Sequence, residues 1–164
     1  MRAADKVLGR ALLASRVPEL RAQRGKIVFT CGVFDLLHVG HVRYLEFARS
    51  LGGALLVGVN SDESVRALEK APGRPYVAQA DRAELVAALE CVDFVCLFDE
   101  PRPNETILAL RPDIHVKDAG YKMADLPEAA AVRQVQGEIV LAPHVAGRST
   151  TAIIERIAQR EKDA

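Results

Sequence analysis

Apolar residues along the chain fall into short runs, and between them lie stretches whose apolar positions recur at helical spacing. The run Ile27 to Cys31 predicts a first strand, and the period from Val39 to Leu51 predicts an amphipathic helix after it. Ala54 to Asn60 reads as a second strand, stopped at the polar Asn60-Ser61-Asp62, with a helix from Asp62 to Glu69. Lys70-Ala71-Pro72-Gly73-Arg74-Pro75 holds two prolines and a glycine and is expected to be a loop. Beyond it, Asp81 to Glu90 has helical spacing and Val92 to Phe98 reads as a buried strand. Asn104 to Leu110 reads as a helix that ends before Pro112. Asp113 to Lys117 and Gly137 to Ala142 supply two more strands, and Ser149 to Arg160 a final helix with Ser149 as its N-cap.

Near-continuous apolar strands separated by helices imply a parallel sheet covered on both faces, joined by right-handed crossovers. The expected architecture is α/β, a Rossmann-like three-layer sandwich around a parallel five-stranded sheet. A single domain spans residues 1–164, with residues 1–25 as an amphipathic helical leader interrupted at Pro18. In such a sheet ligands bind beyond the carboxyl ends of the strands, where strand order reverses. The polar clusters sort accordingly: Gly32 to His41, Asn60 to Asp62, Lys117 to Tyr121 and Gly147 to Thr151 each follow a predicted strand.

Composition narrows the function class. A length of 164 residues suits one domain, and 22 Lys+Arg balance 22 Asp+Glu. A nucleic-acid or membrane surface would need a basic excess or stripe, so neither partner is expected. The amino-terminal stretch lacks the apolar centre of a secretory signal, and no run approaches the length of a transmembrane helix. Cys31, Cys91 and Cys96 are an odd count without a CxxC pair, which fits reduced thiols in the cytoplasm.

The segment Thr30 to His41 carries the clearest chemistry. His38 and His41 stand three residues apart at a predicted helix start, so both imidazoles can lie on one side of its first turn. Amides and the helix dipole favour an anion there, and Gly40 between them lets a ligand approach the backbone. Imidazoles plus amide donors match a triphosphate whose charge grows at the α-phosphorus during attack. A packed structural pair and a zinc pair are the competing readings; no third ligand stands beside them in sequence, although Asp35 can approach in space. Gly147-Arg148-Ser149-Thr150-Thr151 offers hydroxyls, amides and a guanidinium at a second helix start, where plain capping is the alternative.

The pattern GxFDxxHxGH, followed by VNSDESV, PGRP, ALECVDFV, RPDIHVK and GRSTTAIIERI, resembles the cytidylyltransferase-like nucleotidyltransferases of the HxGH type. Within them it is most similar to the heptose 1-phosphate adenylyltransferases, over about Lys26 to Ile157. The resemblance implies a Rossmann-like fold, Mg²⁺ carried by the nucleotide without a dedicated protein site, and pyrophosphate release without a covalent intermediate. It implies that His38 and His41 bind the NTP phosphates and stabilise the transition state, with Lys117 neutralising the α-phosphate or the incoming phosphate. Gly32, Phe34, Asp35 and Gly40 would shape the nucleotide pocket, and Arg148, Ser149, Thr150 and Thr151 would hold the β,γ end. Asn60 and Asp62 would meet the phosphorylated acceptor, and Arg74 would close over it from its loop. Cys31 stands where the heptose enzymes usually have Asn, and Lys117-Asp118-Ala119-Gly120-Tyr121 where they have KGGDY, so acceptor or base preference can differ.

The resulting expectation is AMP transfer from ATP to D-glycero-D-manno-heptose 1-phosphate, by in-line attack and without a side-chain nucleophile. The alternatives are a CTP-dependent enzyme acting on glycerol 3-phosphate or a similar alditol phosphate, and an inactive nucleotide-binding regulator. The chain is too short for the tRNA-recognition domain of an aminoacyl-tRNA synthetase, and Lys122-Met123-Ala124 is not that family's KMSKS. A separate heptose kinase and a homodimer are the expected partners.

Overall fold

The sheet is built from β1 (Ile27–Gly32), β2 (Ala54–Asn60), β3 (Phe94–Phe98), β4 (Ile114–Asp118) and β5 (Glu138–Ala142), all parallel. Its spatial order is β3-β2-β1-β4-β5. The chain therefore steps outward from β1 through β2 to β3, then returns to pair β4 with the other side of β1. That reversal opens a crevice beyond the carboxyl ends of β1 and β4. The computed structural model describes residues 1–68, 73–120, 126–144, 147 and 149–162.

Alternation along the strands sorts side chains into two cores. Val28, Leu55 and Val57 face a core closed by Leu45 of α2 (Val39–Ser50) and Val86 of α4 (Gln79–Ala87). Ile27, Phe29 and Leu56 face the other, closed by Leu13 and Val17 of α1 (Arg10–Arg24), Ile107 and Leu110 of α5 (Asn104–Leu110), and Val132 of α6 (Ala129–Gln134). Two cores on one sheet make the expected three layers. Each fully buried Leu, Ile or Val contributes about 1.5–3 kcal/mol of transfer free energy, so the strands owe their order to burial on both faces. The short α3 (Asp62–Ala67) follows β2, and α7 (Thr150–Lys162) follows β5.

Three differences from the sequence reading have physical causes. Residues 10–24 form one helix that runs on through Pro18 and belongs to the layered fold. Leu13, Val17 and Leu20 are its buried stripe while Pro18 itself is exposed, so packing along the stripe outweighs the lost backbone hydrogen bond. β3 starts at Phe94, because Asp93 turns its carboxylate to accept from the Leu55 backbone N–H at 2.7 Å. The six-residue α6 was not expected; it is too short for a period to show. Between α2 and β2, a Cβ on Gly53 would lie 1.5 Å from the Arg24 carbonyl oxygen, so the end of α1 packs where only glycine leaves room. Among the described residues no helix is long and apolar enough to cross a membrane.

Candidate active site

A cavity of about 780 Å³ lies at the reversal of the sheet. Its wall contains Gly32, Phe34, His38, Gly40 and His41 from the end of β1 and the start of α2, together with Lys117 from β4. Ser149, Thr150 and Thr151 at the start of α7 face the same space, as do Asn60 and Arg74. The sequence clusters therefore converge on one site. Arg148 lies outside the described residues, and Asp35 and Asp62 do not line the cavity.

His38 is the N-cap of α2, and its Nδ1 accepts from the Gly40 N–H at 3.1 Å. His41 reciprocates, its Nδ1 receiving the His38 N–H at 3.4 Å. This is a capping box made of imidazoles. Because each Nδ1 accepts, each neutral ring carries its proton on Nε2, which makes both side chains donors at that atom. One helix amide expected to meet the anion, Gly40 N–H, is instead taken by His38. The rings stack with centroids 3.9 Å apart, and Phe34 packs edge-on against His41 at 5.4 Å. Burial lowers the His41 imidazole to about 4, and like-charge repulsion from Arg74 and from His38 when protonated adds to it.

That depression yields a prediction. In the ligand-free protein the His41 ring, followed by NMR, stays neutral down to about pH 5 and titrates near 4. A triphosphate bound at the mouth of α2 would place negative charge beside the ring and is expected to raise the titration point. An unchanged titration with saturating nucleotide would place the anion elsewhere.

α2 is held to the sheet by a second set of contacts. The Tyr44 hydroxyl donates to the Val116 carbonyl at 2.9 Å and lies 2.6 Å from the Thr30 hydroxyl, which itself reaches Val116 at 3.0 Å. This fastens the helix that carries both histidines to β1 and β4 together. The turn before it is strained: Phe34 and Leu36 both have φ of 51°, a left-handed conformation that costs non-glycine residues about 1 kcal/mol or more each. The residue between them supplies the compensation. Asp35 is wholly buried and accepts from the backbone N–H of Tyr76 and Val77 at 3.0–3.2 Å and from Arg74 Nε at 3.2 Å. Asp35 thus anchors the loop that presents Arg74 to the cavity. Its own carbonyl accepts from the Thr150 hydroxyl at 2.8 Å, which draws the start of α7 against the start of α2. Ser149 caps α7, its Oγ accepting from Ala152 N–H at 3.1 Å.

Several residues of the site escaped the sequence reading. Arg82 has no exposed side-chain surface; it donates to the Val33 and Val77 carbonyls and to Asp62 Oδ1, the last at 2.7 Å. This commits Asp62 to structure and ties together the two loops that flank the cavity. Asn60 Nδ2 donates to Ser64 Oγ at 2.9 Å. Lys117 pairs with Glu128 at 2.8 Å, and the same carboxylate oxygen lies 3.3 Å from His115 Nε2. His115 is fully buried in β4 and stacks on Phe29. Burial holds its ring neutral. Burial opposes charge on Glu128 too, but hydrogen bonds from His115 and Lys117 prevail and bring the carboxyl down to about 2. His144 is exposed and lines the cavity with Cys31, Phe98 and Arg102.

Residues 29–156 match the cytidylyltransferase-like family. The chain belongs to that family. Among similar proteins, the D-β-D-heptose 1-phosphate adenylyltransferase of Bordetella bronchiseptica is 50% identical over 155 residues, 94% of this chain and 95% of that protein. The bifunctional protein HldE of Trichlorobacter lovleyi is 46% identical over 159 residues, 97% of this chain and 32% of that protein. The chain thus spans about a third of the length of such bifunctional relatives. The crystal structure of the lipopolysaccharide core biosynthesis protein from Thermoplasma volcanium superposes with a TM-score of 0.61 at 28% identity, covering 73% of this chain and 96% of that one. The family match includes both histidines, Lys117 and the start of α7.

Proposed function

We propose that the chain is a nucleotidyltransferase that moves AMP from ATP onto heptose 1-phosphate, giving ADP-heptose and pyrophosphate. The observation that carries this reading is the stacked His38–His41 pair, its Nδ1 atoms spent on capping, on the wall of a cavity shared with Lys117 and the start of α7. The name of the Bordetella relative supplies the base and the acceptor.

In the proposed reaction an acceptor phosphate oxygen attacks the α-phosphorus in line. The bond to the bridging oxygen breaks, and pyrophosphate leaves with that electron pair. His38 and His41 donate from Nε2 to the non-bridging oxygens as their charge grows, and Lys117 supplies a fixed positive charge. Ser149, Thr150 and Thr151 meet the leaving β,γ end. Thr150 does so through its place at the helix start, since its hydroxyl is bound to Asp35.

On this reading Mg²⁺ would enter as a companion of the triphosphate. Among the described residues no group of three His, Cys, Asp or Glu side chains gathers as a cation site. Among the described residues the cavity wall carries two carboxylates, Glu128, which is paired with Lys117, and Asp118, which would be the one to meet a hydrated Mg²⁺. Bound there, Mg²⁺ would neutralise the departing pyrophosphate. The heptose reading also brings a separate kinase to supply the 1-phosphate, suggested by the bifunctional relatives, and a cytoplasmic, dimeric enzyme.

The test is pyrophosphate release across the four common NTPs against heptose 1-phosphate, glycerol 3-phosphate and other alditol phosphates. ATP with heptose 1-phosphate is expected to give the highest kcat/KM. A preference for CTP with an alditol phosphate would overturn the assignment. Tight ATP binding with no release on any acceptor would make the chain a nucleotide-binding regulator.

A further inference from the structure

Lys117 does not stand at the cavity by itself. Glu128, at the N-cap of α6, presents one carboxylate oxygen to the Lys117 ammonium at 2.8 Å and to His115 Nε2 at 3.3 Å. The Glu128 side chain is 2% exposed and that of His115 is 0% exposed, whereas Lys117 keeps 13% at the cavity wall. His115 and Lys117 lie two residues apart on β4, and Glu128 precedes the first residue of α6.

From this geometry we infer that Glu128 is a positioning residue for the transfer reaction: it fixes the Lys117 ammonium at the phosphate subsite, and His115 fixes Glu128. A lysine has a long, flexible stem and loses much rotamer freedom when its head is held in one place. Glu128 imposes that restriction before substrate arrives, through a short charge-assisted bond to one ammonium proton. His115 donates its Nε2–H to the same oxygen, and its stacking on Phe29 sets the ring plane. A buried carboxylate is not itself a partner for a phosphate, so its effect on the reaction passes through the lysine. The inference rests on the transferase reading and adds to it a residue that neither the motif nor the spacing singles out.

A double-mutant cycle of Glu128→Gln and Lys117→Ala, read as kcat and KM for pyrophosphate release with the best acceptor, tests it. Glu128→Gln keeps the shape and removes the charge. Its expected effect is a fall in kcat of about 10-fold to 100-fold with KM for ATP changed by less than about threefold, from loss of placement rather than of binding. In the Lys117→Ala background the same substitution is expected to change kcat by less than about twofold, since the group it acts through is gone. A folded Glu128→Gln variant with the wild-type kcat would overturn the inference, and so would an undiminished effect in the Lys117→Ala background. If Glu128→Gln does not fold, Glu128→Asp, which keeps the charge but draws it back from the lysine, takes its place with the same criterion. A wild-type chain silent on every substrate pair would sink the transferase reading, and this inference with it.

Discussion

Replacing His41 by alanine is expected to lower kcat for pyrophosphate release by about 10²-fold to 10³-fold, the cost of losing one donor to charge that develops in the transition state. KM for ATP is expected to change far less, because on the proposed mechanism the bond to Nε2 strengthens as the α-phosphorus is attacked. The fold survives the change. The His38 side chain still caps α2 through Gly40 N–H, and Tyr44 still ties the helix to Val116. Steady-state kinetics beside a circular-dichroism melt checks both halves, and a near-wild-type rate would remove His41 from the chemistry.

The largest effect on stability is expected from Arg82→Met. Methionine fills much of the volume but abandons three acceptors: the Val33 and Val77 carbonyls and the Asp62 carboxylate. Removing one partner of a buried charge network costs about 3 kcal/mol, somewhat below the top of the usual range because Asp62 is 24% exposed and can recover water. Urea unfolding of the variant should show that loss, with nucleotide affinity falling as the loops beside the cavity loosen. A change below about 1 kcal/mol would mean that Arg82 does not hold them together.

Much of the fold was legible because it is local. β1 and β2 are near-continuous apolar runs, α5 ends before Pro112 as the proline rule requires, and Ser149 caps α7 as its position suggested. The convergence of the polar clusters followed from topology, since each one succeeds a parallel strand. What was hidden depends on contacts distant in sequence. Arg82 looks like a solvated helix residue until its partner Val33, 49 positions away, is placed beside it. Asp35 sits within the phosphate motif, but its carboxylate turns inward to the loop of residues 74–77 and not to the cavity. Glu128 stands before a helix too short to announce itself, and His115 is separated from it by 13 residues. Pro18 signals an interruption by its missing backbone hydrogen bond, and only the packing of Leu13, Val17 and Leu20 shows that the helix continues through it.

This distribution has a functional sense. Groups expected to touch substrate belong to short motifs, because a helix start needs adjacent residues to build it. The groups that hold them come from wherever the fold brings an arginine or a carboxylate close. Strain at Phe34 and Leu36 marks the boundary between the two kinds, a turn kept in an unfavourable conformation by a buried aspartate.

The most direct measurement is a crystal structure with a non-hydrolysable ATP analogue and Mg²⁺. The α-phosphate is expected within hydrogen-bond distance of Nε2 of both His38 and His41, with the β,γ end at Ser149–Thr151. Nucleotide bound away from the mouth of α2, with the two rings still stacked and untouched, would contradict the account.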